Sequence, residues 1–108
     1  MSYSVVTIQP FDRQLKRLAK KYHSLKADLA ELGKQLTENH AMGKPIGQDC
    51  YKIRLAITSK GKGKSSGARI ITHVYVAENT IYMLAIYDKS EQTNITDKEL
   101  LDWLRLID

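Results

Sequence analysis

Basic residues at regular positions are the strongest chemical feature of this sequence. Lys52 and Arg54 alternate with apolar residues in an extended run, Arg69 opens a second such run, and Tyr87 and Lys89 end a third. Clustered cations stabilise negative charge that develops on a phosphate, and they depress the pKa of a neighbouring lysine toward the range of a general base. These five residues are therefore candidates for a site that could act on an anionic group such as a phosphate, and the alternative is a set of solvated bases at the rim of a sheet.

The positive charge of the chain is local. Residues 44–69 hold seven Lys or Arg against one Asp, a net charge of +6, whereas the whole chain has a net charge of +5. A local charge of this size favours an anionic partner, and nucleic acid is favoured over a membrane because the bases do not lie on an amphipathic helix. Composition alone leaves two interpretations open, a polyanion-binding protein and a soluble basic domain without such a partner.

Length and composition predict one globular domain over residues 1–108, since 43% of the residues are apolar and 27% are charged. No window approaches the roughly 20 apolar residues of a membrane span, and residues 1–13 lack a charged segment before their short apolar run. Cys50 is the only cysteine, which excludes an internal disulfide and predicts a small buried side chain. We therefore expect a cytoplasmic protein without a membrane contact.

The first half of the chain predicts a strand and a helix hairpin. Residues 3–8 are rich in Val, Thr and Ile, which favours a strand. Asp12 and Ser24 are expected to be the N-caps of two helices, because apolar residues recur at helical spacing after each of them. Residues 40–48 contain two glycines and a proline and are expected to form a loop.

The second half predicts an antiparallel three-stranded meander followed by a C-terminal helix. Residues 51–58 alternate between apolar and polar, and residues 68–76 and 80–87 are rich in β-branched and aromatic residues. Thr96 and Glu99 form a capping box, which marks the start of the last helix. Its apolar face is expected to dock on the sheet, with a movable lid or a partner-binding surface as the alternatives. The fold class is therefore α+β.

The register between the last two strands decides whether the candidate residues converge. A three-residue loop at 77–79 would pair Arg69 with Tyr87 and bring Lys89 to the same face, whereas a two-residue turn would pair Arg69 with Asp88. The sequence leaves this choice open.

Two other chemistries are excluded. Gly63, Lys64 and Ser65 look like the end of a phosphate-binding P-loop, but Thr58 stands where that motif needs its first glycine, and a strand rather than a helix is expected next. The three histidines and the single cysteine do not have the spacing of zinc ligands. We therefore expect no metal and no nucleotide cofactor.

Four motifs in this order resemble the RelE/ParE toxins of bacterial toxin-antitoxin systems, with RelE-like and HigB-like members the most similar. They are DCYKIRL at residues 49–55, a basic Gly-rich loop, SGARII at residues 66–71 and IYDK at residues 86–89. The order of elements along the whole chain is also similar. The resemblance implies the RelE-like fold and cleavage of messenger RNA in the ribosomal A site, by attack of a ribose 2′-hydroxyl on the adjacent phosphate.

The resemblance also implies a role for each candidate residue. Lys52 and Arg54 match the family's paired bases, which bind the scissile phosphate and help to activate the 2′-hydroxyl. Arg69 matches the arginine that stabilises the pentavalent phosphate, and Lys89 matches a base that serves the leaving 5′-oxygen. RelE has a tyrosine early in its last segment where this chain has Ile95, so Tyr87 is the tyrosine we take in its place.

Partners follow from the same resemblance. It implies a small antitoxin that covers the basic face or displaces the last helix, and a ribosome whose RNA is gripped by Lys60, Lys62 and Lys64 on a flexible loop. Two alternatives remain open. One is a ParE-like inhibitor of DNA gyrase, although such members generally lack the clustered bases on these strands, and the other is an RNA-binding relative without catalytic activity.

Overall fold

The structure, a computed structural model, describes residues 2–107. Five strands form one mixed sheet in the order β1-β5-β4-β3-β2, in which β1 runs parallel to β5 and all other neighbours are antiparallel. The strands and α-helices are β1 (Ser4–Thr7), α1 (Gln9–Lys21), α2 (Leu25–Glu38), β2 (Lys44–Gly47), β3 (Cys50–Leu55), β4 (Ala68–Tyr75), β5 (Thr80–Asp88) and α3 (Asp97–Leu104). The α+β class, the helix hairpin, the meander and the C-terminal helix are confirmed.

The starts of the first two helices differ from the expected caps. Helix α1 begins at Gln9, because Pro10 lies in the first helical turn, where its missing N–H and fixed φ are tolerated. Asp12 therefore lies inside the first turn, and its prediction as an N-cap is wrong. Ser24 does occupy the N-cap position of α2, but its hydroxyl donates to Asp28 Oδ2 at 2.9 Å instead of capping the backbone.

Residues 40–48 are not entirely a loop, because residues 44–47 form strand β2 at the edge of the sheet. Lys44 lies opposite Lys52 and Pro45 lies opposite Tyr51. Proline is acceptable in an edge strand, where its missing N–H does not interrupt a ladder. Gly47, Gln48 and Asp49 make the turn to β3, each with φ between +56° and +93°. Glycine and proline thus mark a tight hairpin here.

A four-residue loop and a bulge together set the register of β4 and β5. Tyr75 pairs with Thr80, so the loop comprises residues 76–79 and neither expected loop length is observed. The register then shifts by one residue between Ile71 and Thr72, and this bulge returns Arg69 to a position opposite Tyr87. Of the two pairings that the sequence left open, Arg69 with Tyr87 is the one observed, although a four-residue loop and a bulge produce it and not the three-residue loop.

The two faces of the sheet carry different layers. Tyr87 and Asp88 are neighbours on β5, so their side chains point to opposite faces. Tyr22, at the end of α1, donates a hydrogen bond to Asp88, whereas Glu99 and Trp103 of α3 line a cleft with Tyr87. The helix hairpin therefore covers one face and α3 covers part of the other. We call the second, which bears Arg54, Arg69 and Tyr87, the basic face.

Helix α3 is docked, as expected. The Thr96 hydroxyl accepts from the Glu99 N–H and the Glu99 carboxylate accepts from the Thr96 N–H, which forms the predicted capping box. Leu100 is buried and Trp103 packs at the margin of the core, while Leu101 is 44% exposed. None of the helices within residues 2–107 is long and apolar enough to cross a membrane.

Candidate active site

A row of polar side chains crosses the basic face. Arg54 on β3 lies opposite Arg69 on β4, which lies opposite Tyr87 on β5. Lys52 is two residues before Arg54 and therefore shares its face, and Lys44 on the edge strand lies opposite Lys52. The sheet thus brings together four of the five predicted site residues and adds Lys44, which was not among them.

Lys52 lies in a strongly positive environment. Its pKa is lowered, first by partial burial and then by repulsion from the surrounding cations, namely Lys44, Arg69, Lys89 and Arg54. Lys89, the fifth predicted residue, thus also lies close to the others. Within residues 2–107 none of these cations forms an ion pair with a carboxylate, and the Lys52 ammonium donates only to the amide oxygen of Asn94, at 3.4 Å. The cluster is arranged to attract an anion.

Arg69 is held rigidly. Its side chain is 4% exposed, and its guanidinium donates to the carbonyl oxygens of Lys64 at 2.9 Å, Ser65 at 3.3 Å and Ala68 at 3.2 Å. These contacts use three of the five N–H groups of a guanidinium. Arg69 is therefore positioned by the loop before β4 and keeps donors for a further acceptor.

Tyr87 lies beneath α3. It is 5% exposed, and its hydroxyl has no hydrogen-bond partner within residues 2–107. Burial raises the pKa of the phenol, the Arg69 cation lowers it, and the Glu99 carboxylate raises it. A buried hydroxyl without a partner is costly, and this hydroxyl keeps a free donor for a further acceptor.

The basic loop, residues 58–67, is fixed at both ends. At its start, the Thr58 N–H donates to Asp28 Oδ2 and the Ser59 N–H donates to Ser24 Oγ, both from α2. At its end, Gly67 lies so close to β3 that a Cβ atom on it would be 2.1 Å from the Leu55 carbonyl oxygen. The loop is therefore attached to the helix hairpin and to the sheet.

Lys60 differs from the other two lysines of the basic loop. Lys62 and Lys64 are exposed, as a role in RNA binding requires. The Lys60 ammonium instead donates to Asp88 Oδ1 at 2.7 Å and to the Ser66 carbonyl oxygen at 2.8 Å, and it lies 5.0 Å from the centre of the Tyr22 ring. The Lys60 ammonium is therefore engaged by internal contacts in the folded protein, unlike the exposed side chains of Lys62 and Lys64.

Sequence reasoning missed three residues near the site. Lys44 was assigned to a loop. The signal that could have placed it in a strand is the Gly47-Gln48-Asp49 turn, because a hairpin at this turn pairs Lys44 with Lys52. Asp88 lies between Tyr87 and Lys89 in the IYDK motif, where strand alternation alone would have directed it away from the basic face. Asn94 lies in an irregular segment, and no sequence signal connects it to Lys52.

The other chemistry-bearing groups do not form a second site. Cys50 is 1% exposed, and burial raises the pKa of its thiol to about 12, so the thiol stays protonated; its Sγ lies 3.4 Å from the Gln48 carbonyl oxygen and 3.5 Å from His73 Nδ1. No three His, Cys, Asp or Glu side chains among the described residues come together in a way that could hold a metal ion.

Comparison with known proteins supports the fold. The family model described as the RelE toxin of the RelE/RelB toxin-antitoxin system matches residues 11–107. Among solved structures, an Escherichia coli RelE variant with two arginines replaced by alanine, in the free state, is 17% identical over 99% of both chains, with a TM-score of 0.65. The Mycobacterium tuberculosis RelBE2 toxin-antitoxin complex has a chain that is 17% identical over 82% of this chain and 99% of that one, with a TM-score of 0.61.

The intact Escherichia coli RelBE toxin-antitoxin complex has a chain that is 22% identical over 81% of this chain and 96% of that one, with a TM-score of 0.56. At these identities the structural matches establish the fold. The family match spans nearly the whole chain and includes all five candidate residues. The protein described here therefore belongs to the RelE toxin family.

Proposed function

We propose that this protein is the toxin of a toxin-antitoxin pair and that it cleaves messenger RNA in the ribosomal A site. The observation that carries the proposal is the cluster of unpaired cations around Lys52, which includes the row of Arg54 and Arg69. Such a cluster suits a phosphodiester, whose negative charge increases in the transition state. Ribosome dependence is taken from the resemblance to RelE-like toxins.

Each residue has a proposed role in the reaction. Lys52, in its neutral form, takes the proton of the ribose 2′-hydroxyl, which then attacks the adjacent phosphate. Arg54 and Arg69 donate to the non-bridging oxygens as their charge increases. The Lys89 ammonium gives a proton to the leaving 5′-oxygen, and the Tyr87 hydroxyl supplies one further donor. The products are a 2′,3′-cyclic phosphate and a 5′-hydroxyl end.

The proposed partners are those that the resemblance implies, and features of the surface support them. Lys62 and Lys64 are proposed to contact ribosomal RNA, because they are exposed and adjacent to the site. Asn94 and α3 cover Lys52 and Tyr87, so entry of RNA requires this segment to move. A small acidic antitoxin is proposed to neutralise the cluster by covering the basic face or by displacing α3.

The decisive experiment mixes purified protein with ribosomes carrying a defined message and maps the transcript by primer extension. We expect cleavage within the A-site codon, a 2′,3′-cyclic phosphate on the upstream product, and no cleavage of the same message without ribosomes. A supercoiling assay with purified gyrase should show no inhibition. Intact transcripts together with stoichiometric inhibition of gyrase would replace this proposal by the ParE-like alternative.

The pH dependence of cleavage tests the role of Lys52. The neutral amine is the active form, so the rate should rise with pH up to the pKa of Lys52. Lys44→Gln removes one of the charges that lower this pKa. The pKa then rises, less neutral amine is present at pH 7, and the pH-rate profile moves to higher pH.

The size of this effect is set by one partly screened charge. A pair of surface charges interacts by about 1 kcal/mol, so Lys44→Gln should lower the rate at pH 7 by up to about fivefold. Lys44→Arg keeps the charge and serves as the control, with an unshifted profile. A profile that is the same in all three proteins would show that Lys52 is not the base.

A further inference from the structure

Two side chains donate hydrogen bonds to three consecutive carbonyl groups of the basic loop. Arg69 donates to the carbonyl oxygens of Lys64 and Ser65, and Lys60 donates to the carbonyl oxygen of Ser66. These three residues form a single 3-10 turn, Lys64–Ser66. The turn therefore couples Lys60 to Arg69, although the two side chains do not touch.

Lys60 is itself fixed by a buried carboxylate on the opposite face of the sheet. Asp88 is fully buried, and its Oδ1 accepts from the Lys60 ammonium at 2.7 Å and from the Ser90 N–H and hydroxyl, while its Oδ2 accepts from the Tyr22 hydroxyl. The Lys60 side chain is 13% exposed. A lysine that binds RNA needs a free ammonium, and this one is engaged by Asp88, Ser66 and the Tyr22 ring.

The same carboxylate lies beside another candidate residue. Asp88 directly precedes Lys89, whose N–H donates to the Gly67 carbonyl oxygen at 3.0 Å, at the end of the basic loop. The contacts of Asp88 with Lys60 and Ser90 therefore fix the chain on either side of Lys89. The positions of Arg69 and Lys89 therefore both depend on the position of the end of the basic loop.

We propose that Lys60 is a positioning residue that anchors the basic loop to Asp88, so that the carbonyl groups of residues 64–65 direct the Arg69 guanidinium toward the site. Lys60 itself does not contact RNA. This inference rests on the proposed function for its catalytic consequence, but the orientation of Arg69 is a property of the free protein and is measured without substrate.

The first test measures the accessibility of Arg69 in the free protein. An arginine-selective dicarbonyl reagent is applied, and mass spectrometry gives the modification rate at each arginine. Lys60→Met should raise the rate at Arg69 by about tenfold or more, because the anchored loop opens locally. The exposed Arg54 serves as an internal reference with an unchanged rate, and Lys62→Met, a matched change on the same loop, should leave Arg69 as slow as in the wild type.

Lys60→Met leaves the Asp88 charge without its partner and is expected to lower stability. The double variant Lys60→Met/Asp88→Asn removes that charge and is used if the single variant does not fold. Lys60→Arg retains a cation for Asp88 and should largely restore the slow modification of Arg69. An unchanged rate at Arg69 in a folded Lys60→Met or double variant would overturn the proposal.

The second test separates positioning from RNA binding. In single-turnover cleavage of ribosome-bound message, Lys60→Met should lower the saturating rate by about 10²-fold, as expected for a misplaced catalytic group, and change the half-saturating concentration by less than about threefold. Lys62→Met should instead raise the half-saturating concentration and leave the saturating rate nearly unchanged. A change in half-saturation alone for Lys60→Met would make Lys60 an RNA contact. If the wild type does not cleave, the proposed function fails and the modification rates still decide the role of Lys60.

Discussion

Arg69→Ala is expected to lower the rate of message cleavage by about 10²- to 10³-fold, the usual loss when one donor to a developing oxyanion is removed. Arg69 stands at the centre of the basic row, between Arg54 and Tyr87, and its guanidinium is already oriented by the carbonyl groups of residues 64, 65 and 68. Little reorganisation is needed when a phosphate arrives. The measurement is single-turnover cleavage at saturating ribosome concentration.

Three further variants make this test specific. Arg69→Lys keeps the charge but loses bidentate donation, so its rate should lie between those of the wild type and Arg69→Ala. Lys89→Ala should also lower the rate, because the leaving oxygen loses its acid. Lys20→Ala, on the exposed surface of α1, is the control for a general loss of charge. If both Arg69→Ala and Lys89→Ala still arrest growth on induction and cleave ribosome-bound message, the site is assigned wrongly.

Asp88→Ala is expected to lower the free energy of unfolding by about 3–5 kcal/mol at pH 7, since it leaves the Lys60 ammonium buried without its partner. The Asp88 carboxylate is fully buried and accepts from Lys60, Tyr22 and Ser90. Glu91→Ala provides the comparison, because its ion pair with Arg17 is exposed to solvent and should contribute less than about 1 kcal/mol. Urea unfolding followed by circular dichroism gives the loss of unfolding free energy for both variants. Equal losses would contradict the view that the buried pair of Lys60 and Asp88 contributes more to stability than the exposed pair of Arg17 and Glu91.

The same carboxylate predicts how stability depends on pH. Hydrogen bonds from Lys60, Tyr22 and Ser90 outweigh the effect of burial and hold the pKa of Asp88 well below its usual range. The contribution of Asp88 to the free energy of unfolding is therefore fully present above the pKa of about 3.9 that an aspartate has in the unfolded chain. It is lost as the pH falls from there toward the lower pKa of Asp88 in the folded protein. The stability difference between the wild type and Asp88→Asn should shrink over that interval. A stability difference that stays constant down to about pH 2 would show that folding does not lower the pKa of Asp88.

The parts of the fold that local patterns determine could be predicted from the sequence. The capping box of Thr96 and Glu99 marked α3, and the alternation of residues 51–58 placed Lys52 and Arg54 on one face. Strand β2 was not predicted, because a proline such as Pro45 is tolerated in a strand only at the edge of a sheet. The position of a strand within the sheet depends on tertiary structure and cannot be inferred from the local sequence. The start of α1 was misplaced because Asp12 is a favourable N-cap residue by type, whereas the helix begins earlier, with Pro10 in its first turn.

The site was predictable where it depended on alternation and not where it depended on distant contacts. The pairing of Arg69 with Tyr87 requires a bulge between Ile71 and Thr72, and nothing in the local sequence specifies it. Lys60 looks like its neighbours Lys62 and Lys64 in a basic loop. Its different role comes from Asp88, which lies 28 residues later in the chain and meets it only in the folded protein.

The parallel pairing of β1 with β5 has a consequence for synthesis. Strand β1, Ser4–Thr7, is synthesised before its partner, which spans Thr80–Asp88, so the sheet is completed only after β5 has been made. Long-range parallel pairing is also slow to form. Asp88 ends this strand and Lys89 follows it, so the candidate site is also incomplete until β5 has been made. A nascent chain that stops before β5 is therefore expected to lack both the completed sheet and the assembled basic cluster.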